Sequence, residues 1–182
     1  MRKVVLQMQV SLDMFVARTD HELDWVGARG FSPEVSAWMT ETIERCDTMV
    51  LGRVAFVEQQ GYWPTDEAKG NPLTPLLNAW ESVVFSSTLT EVTWPNSRVV
   101  STDLATEIAR IKAMDGKDIY VSGGSTFAQA MSAQGLVDEY RLVVHPVALG
   151  SGMPLFGQQV DLKLQSSQVL GEGVLGHVYT PS

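Results

Sequence analysis

An apolar run, Ile119-Tyr-Val-Ser122, leads straight into Gly123-Gly124 and then Ser125-Thr126-Phe127. Adjacent glycines let a backbone approach a ligand and present consecutive N–H groups, and a helix beginning at Ser125 aims its positive end at an anion. The chemistry indicated is phosphate binding by Ser122, Gly123, Gly124, Ser125 and Thr126. The plainer alternative is a strand-to-helix turn capped by Ser125 or Thr126. Val50-Leu51-Gly52-Arg53 repeats the arrangement, with Gly52 at the turn and Arg53 as either a fork for a nucleotide phosphate or a surface cation. Ser86-Ser87 closes a third apolar run, and Asp13 follows a fourth, Val10-Ser-Leu12. Asp13 reads either as an Asx turn or as a group that orients a substrate or relays a proton to it, alone or through water. Ligands of open α/β sheets lie across the carboxyl ends of strands, so the recurrence of such residues at successive strand ends matters more than any one of them.

Other patterns carry less. Gly171-Glu-Gly173-Val-Leu-Gly176 matches G-x-G-x-x-G, but a dinucleotide fingerprint needs a helix after it, and here His177-Val-Tyr-Thr leads to the end of the chain. It reads as a hairpin turn. There is no G-x-S-x-G nucleophile elbow and no Walker loop. His21, His145 and His177 lie far apart, and His21-Glu22 lacks the second histidine of a zinc helix, so no metal is expected. His145, before Pro146, reads as structural or pocket-lining. A single cysteine, Cys46, excludes an intrachain disulfide and a thiolate cage.

These residues need a scaffold. Residues 3–10 read as a strand, followed by a long loop to Gly30. Ser32-Pro33-Glu34 is a helix start, and Val35, Trp38, Met39, Ile43 and Cys46 recur at helical spacing as far as Asp47. Strands are expected at 48–52, 82–86, 97–101, 118–123 and 138–149. Helices are expected from Val54 to Gln59, around Leu104-Ile108-Ile111, and from Ser125 to Gln134. Residues 61–80, with three prolines, read mostly as loop, as do 87–96 and 150–157, and residues 160–170 and 174–180 as a closing hairpin. Alternation of strand and helix through residue 136 predicts a mostly parallel sheet, and the final strands an antiparallel addition.

The 182 residues suit one domain, 1–182. With 45% apolar and only 19% charged residues, against about 25% on average, disorder is excluded and cover by a second subunit is suggested. A net charge of −8 argues against a nucleic-acid partner. The N-terminus breaks its apolar run at Gln7, Gln9 and Asp13, so no signal peptide, membrane span or membrane partner is expected and a cytoplasmic protein is the default.

Taken in order, Val10-Ser11-Leu12-Asp13, Leu51-Gly52-Arg53, Val84-Phe85-Ser86, Asp118-Ile-Tyr-Val-Ser-Gly123-Gly124 and Asp138-Glu139-Tyr-Arg-Leu-Val-Val-His145-Pro146-Val-Ala-Leu-Gly150-Ser-Gly152 resemble the dihydrofolate-reductase-like superfamily. The resemblance is closest to the reductase domain in the C-terminal half of the bifunctional riboflavin-biosynthesis deaminase/reductase, in its small stand-alone bacterial form. It implies a three-layer α/β fold with a central mixed, largely parallel sheet of about eight strands, a C-terminal antiparallel hairpin and a homodimer. It also implies an NADPH-dependent oxidoreductase acting on a small heterocyclic substrate. The Gly123-Gly124 amides and the following helix N-terminus would hold the pyrophosphate, Arg53, Ser86 and Ser87 would lie by the adenosine 2′-phosphate, and Gly52 would also belong to the cofactor site. Asp13 would lie at the nicotinamide, and Met14 and Trp38 at the substrate. The chain departs from the family pattern at Met14, where a glycine is usual, at Ala55, where a threonine is usual, and at Ser87, often basic in relatives. Ser87 admits NADH beside NADPH, while Met14 and Ala55 keep open a non-catalytic nucleotide- or pterin-binding protein. Glu34 stands one position off from the helix carboxylate of folate reductases, a swing of roughly 100°, which counts against a pterin substrate.

Overall fold

The computed structural model describes residues 1–182. Its centre is β1 (Val4–Ser11), where Val4, Leu6 and Val10 are fully buried toward one face of the sheet. Gln7, Gln9 and Ser11 alternate with them, but the strand is not half-exposed: its polar side is covered too, with Gln7 donating to the Met39 carbonyl at 3.3 Å. β1 lies between β6 (Asp118–Val121) and β7 (Glu139–His145), parallel to both. The full order is β5-β4-β3-β6-β1-β7-β10-β9, adding β3 (Cys46–Gly52), β4 (Glu81–Phe85), β5 (Ser97–Val100), β9 (Leu162–Val169) and β10 (Leu175–Pro181). The first six strands of this order run parallel, and β10 and β9 are antiparallel. This is the expected eight-stranded, largely parallel sheet with its closing hairpin.

One face is covered by α4 (Leu104–Ala113) and α5 (Ser125–Ala133), whose Ile108, Ile111, Ala128 and Met131 pack on Leu6, Val50, Val121 and Leu142. The other is covered by α1 (Pro33–Glu44), α2 (Arg53–Gln60) and α3 (Thr74–Ala79). Ser32 caps α1 as its type predicts, accepting from the Val35 amide at 3.3 Å.

Four expectations need correction. The helix beginning at Pro33 ends at Glu44, and Cys46 opens β3 instead of closing the helical stripe. The strand expected over 138–149 stops at His145, because Pro146 has no N–H to continue the ladder. Residues 61–80, expected to be mostly loop, are not loop throughout: they contain α3, where Pro75 sits in the first turn and helps begin the helix. The loops after Asp13 and Gly150 contain β2 (Phe15–Ala17) and β8 (Met153–Pro154), which pair as a separate two-stranded sheet. At three and two residues they are too short to show a period. Gly171, Glu172 and Gly173 all have positive φ and form the β9–β10 turn, as expected of that motif.

Candidate functional site

Because β4, β3, β6 and β1 are neighbours and parallel, their carboxyl ends share one edge of the sheet. Ser86-Ser87, Gly52-Arg53, Ser122-Gly123-Gly124 and Asp13 therefore line up along it. Four strand ends at about 4.8 Å spacing span about 14 Å, a length that suits a dinucleotide.

The glycine pair takes φ of 68° and 78°, values an L side chain rarely adopts. Gly124, not Ser125 or Thr126, occupies the N-cap of α5, and no side chain caps that helix. The first-turn N–H groups of α5 are thus left without a side-chain acceptor. Gly52 does the same for α2, again with no side-chain cap. The two helix starts approach each other: a Cβ built on Gly52 would stand 3.4 Å from the Phe127 Cβ, and one on Gly123 3.4 Å from the Ala55 Cβ. The Ala55 methyl, in the place of the family threonine, thus packs against the turn itself.

Around this turn the hydroxyls have distinct roles. Ser122 is buried, and its Oγ accepts from Gln59 Nε2 at 2.8 Å, tying β6 to α2. Ser125 is buried with Oγ against the Met153 sulfur, whereas Thr126 is exposed. Arg53 is also exposed. Ser86 Oγ accepts from the Thr88 and Leu89 amides at 3.1 and 2.9 Å, which turns the chain after β4 and leaves exposed Ser87 beside it.

Asp13 is engaged on both oxygens. Oδ1 accepts from Ser11 Oγ at 2.6 Å and the Leu149 amide at 3.1 Å, and Oδ2 from the Gly150 amide at 2.8 Å. These donors, the Ser11 hydroxyl first, hold its carboxyl down at about 2. A group so firmly ionised fastens the end of β1 to the segment after β7; it does not suit the proton-relay part of its expected role. Met14 has φ 63°, its amide donates to the Ser11 carbonyl at 3.0 Å, and its side chain packs toward the main core. Here the family glycine answers to the turn, and Met14 accepts the same conformation.

Trp38 stands apart from the others and corrects its expected place at the substrate. It is 4% exposed, packed with Val35, Val143, Leu170 and Val174, and the Arg141 guanidinium lies 4.2 Å from its ring centroid. An aromatic on the apolar stripe of α1 is core. Gln59 and Phe127, which shape the turn, gave no signal in sequence because each acts only through a contact between α2 and β6 or α5. Cys46 is buried and its thiol is pushed up to about 12, chiefly by burial. His145 is fully buried and held down at about 4, by burial first and the nearby Arg29 second. A hollow of about 620 Å³, lined by residues including Arg2, Arg45 and Lys117, lies at the opposite end of the strands.

Comparison with known proteins agrees with this architecture. The RibD C-terminal domain family matches residues 2–176. The uncharacterized protein YyaP of Bacillus subtilis is 32% identical over 98% of this chain and 94% of its own. The crystal structure of a Shewanella sp. PV-4 protein ascribed to riboflavin biosynthesis superposes with a TM-score of 0.80 at 25% identity, covering 99% of both chains. The fold is also that of the Thermotoga maritima deaminase/5-amino-6-(5-phosphoribosylamino)uracil reductase, with a TM-score of 0.71 at 13% identity over all of this chain and 57% of that one. No helix is long and apolar enough to cross a membrane.

Proposed function

Because the chain belongs to the RibD C-terminal domain family, we propose that it is a dinucleotide-dependent reductase of a small heterocyclic substrate. NADPH is the preferred cofactor, with NADH second, and the reaction resembles reduction of a ribosylamino-pyrimidine. The observation that carries this reading is the pair of uncapped helix starts facing each other at Gly52 and Gly123-Gly124. Two positive helix ends with no side chain to satisfy them favour a diphosphate. The residues present fit it: Gly124 is exposed, and a Cβ there would meet nothing closer than the Ala55 and Phe127 Cβ atoms at 3.9 Å, so the turn is open to a ligand.

When bound, the dinucleotide supplies a hydride for a C=N or C=O carbon. In this reading the amides of residues 123–126 and the Gly52 turn hold the pyrophosphate, while Arg53, which follows Gly52 at the strand end next to that of Phe85, is the cation available to a 2′-phosphate. Asp13 fixes the backbone of Leu149 and Gly150 at the border of the substrate region, so it orients without exchanging a proton. A homodimer is part of the same reading and is checked by light scattering.

The test is a thermal-shift titration with NADPH and NADH, for the natural chain and Arg53→Ala. Ligand at about 100 times its Kd stabilises by about 2.7 kcal/mol. With an unfolding entropy of about 0.4 kcal/mol per kelvin for a chain this long, that is about 7 °C. Arg53→Ala is expected to reduce the NADPH shift and leave the NADH shift unchanged. No shift with either dinucleotide at millimolar concentration refutes the reading. Binding without oxidation of NADPH by any pyrimidine or pterin would favour a nucleotide-binding protein instead.

A further inference from the structure

The cofactor reading leaves the polar side of β1 unused. Gln9 on β1 and His145 on β7 meet there, with His145 Nε2 2.8 Å from Gln9 Oε1. An amide oxygen only accepts, so Nε2 carries the hydrogen and Nδ1 is left as an acceptor. That Nδ1 is buried and has no partner. Trp25 lies edge-on to the same imidazole, ring centroids 5.4 Å apart and planes at 87°, and its Nε1–H is also buried without a partner. Native interiors pair nearly all of their buried polar groups. A ligand edge with an N–H beside an acceptor atom would supply the complements of both the lone acceptor and the lone donor on these two touching rings.

The position is right for one. Ser11 and His145 are in register across β1 and β7, and Asp13 follows two residues later. Since β6 flanks β1 on the other side, the Gln9–His145 pair and the Gly123-Gly124 turn are separated by little more than the width of two strand spacings, about 10 Å. The cover is one short segment. A Cβ on Gly30 would stand 2.0 Å from Val26 Cγ1, 2.6 Å from Gln9 Oε1 and 3.3 Å from His145 Cε1, so residues 25–30 are packed down on the pair at a distance only glycine allows. Tight packing of this kind leaves no room for a second ring unless the segment shifts.

We propose that Gln9, Trp25 and His145 form the recognition face for the heterocycle, reading an edge that carries an N–H next to an acceptor atom, and that residues 25–30 move outward to admit it. Gln9 fixes the imidazole tautomer, His145 Nδ1 accepts from the ring N–H, and Trp25 Nε1 donates to the neighbouring acceptor. This deepens the reductase reading and rests on it for the kind of substrate.

The experiment is calorimetric titration of 5,6-diaminouracil and of pterin, with NADPH titrated separately, into the natural chain, Trp25→Phe and Gln9→Leu. Trp25→Phe keeps the ring against His145 and removes only the donor; near-UV circular dichroism confirms that each variant is folded. At least one heterocycle is expected to bind the natural chain. Each variant is expected to weaken it about tenfold, as loss of one such hydrogen bond does, with NADPH affinity unchanged. A 1,3-dimethylated uracil, which lacks the ring N–H, is expected to bind as weakly to the natural chain as the parent does to the variants. Equal affinity of natural chain and variants overturns the assignment, as does failure of both heterocycles to bind. If NADPH binds and neither heterocycle does, this assignment falls while the reductase reading stands; if a heterocycle binds as described and no dinucleotide does, the reverse holds.

Discussion

Gly124→Ala separates a backbone effect from a ligand effect at the same atom. Gly124 has φ 78° and ψ 112°, outside the regions that L residues populate. A Cβ there would meet nothing closer than the Ala55 and Phe127 Cβ atoms at 3.9 Å, which is ordinary contact, so the cost is conformational and not steric. Such a conformation costs about 1–3 kcal/mol, and with about 0.4 kcal/mol per kelvin of unfolding entropy the Tm falls by about 3–8 °C. Gly135→Ala is the matched control: φ is 65°, nothing lies within 4 Å, and the position is at the far end of α5. Both variants are therefore expected to lower the Tm of the free protein. Only Gly124→Ala is expected to abolish the stabilisation by NADPH, about 7 °C at 100 times the Kd, because its methyl stands where the diphosphate must approach. The assay is scanning fluorimetry of the three proteins with and without NADPH. A Gly124→Ala variant that keeps the full NADPH shift would refute placement of the cofactor at this turn, whatever its own Tm.

Three further outcomes are expected. His145 is held at about 4 against an ordinary 6.5, so the unfolded chain takes up a proton between those values that the folded chain refuses, and His177, lowered by its own burial, acts in the same direction. Tm should hold above pH 6.5 and fall by several degrees as pH drops toward 4, less steeply in His145→Gln; identical profiles would contradict the burial. Gly176→Ala should lose about 1–3 kcal/mol, since its Cβ would stand 2.9 Å from Trp38 Cε2 and 3.0 Å from Leu170 Cδ1; a urea midpoint equal to that of the natural chain would mean Trp38 is not the fixed core side chain described here. Ala55→Thr, which places a hydroxyl at the Gly123 turn, should tighten NADPH by about tenfold if it gains one bond to the phosphate, measured by calorimetry; weaker binding would show that the Ala55 methyl is required by the packing.

The parts of this molecule legible in sequence are those with a repeating local signal. β3 and β6 each end in a turn into a helix and β4 closes an apolar run, so Gly52, Gly123 and Ser86 announce themselves by type and position, and strand order then gathers them. Pairwise features left no such mark. Gln59 is an ordinary polar residue on α2 until it meets Ser122, and Phe127 is one more apolar position on α5 until it lies against Gly52. Trp38 shows the converse: its helical spacing was visible, but whether the stripe faced a pocket or Val143 depended on where β10 and Leu170 come to rest. β2 and β8 escaped because two or three residues carry no period, although their pairing brings the Leu155 amide onto the Met14 carbonyl and Gly152 against Ala17 and Phe15.

The two faces of β1 divide the work. Val4, Leu6 and Val10 make one side dry and continuous with the core under α4 and α5, which fixes the strand and with it the height of the glycine turn on β6. Gln7, Gln9 and Ser11 make the other side polar although it is equally covered, and burying that much polarity is unfavourable unless the groups are paired. Gln7 Nε2 finds Met39 and Tyr120, and Ser11 finds Asp13, but Gln7 Oε1 and the His145 Nδ1 at the end of the Gln9–His145 pair are left without a partner. A strand needed only as scaffold would be apolar on both sides, as parallel strands buried on both faces usually are. In the recognition proposed above, the polar side is what meets the heterocycle. Met14, at the end of the same strand, takes a positive φ and packs its side chain against the main core.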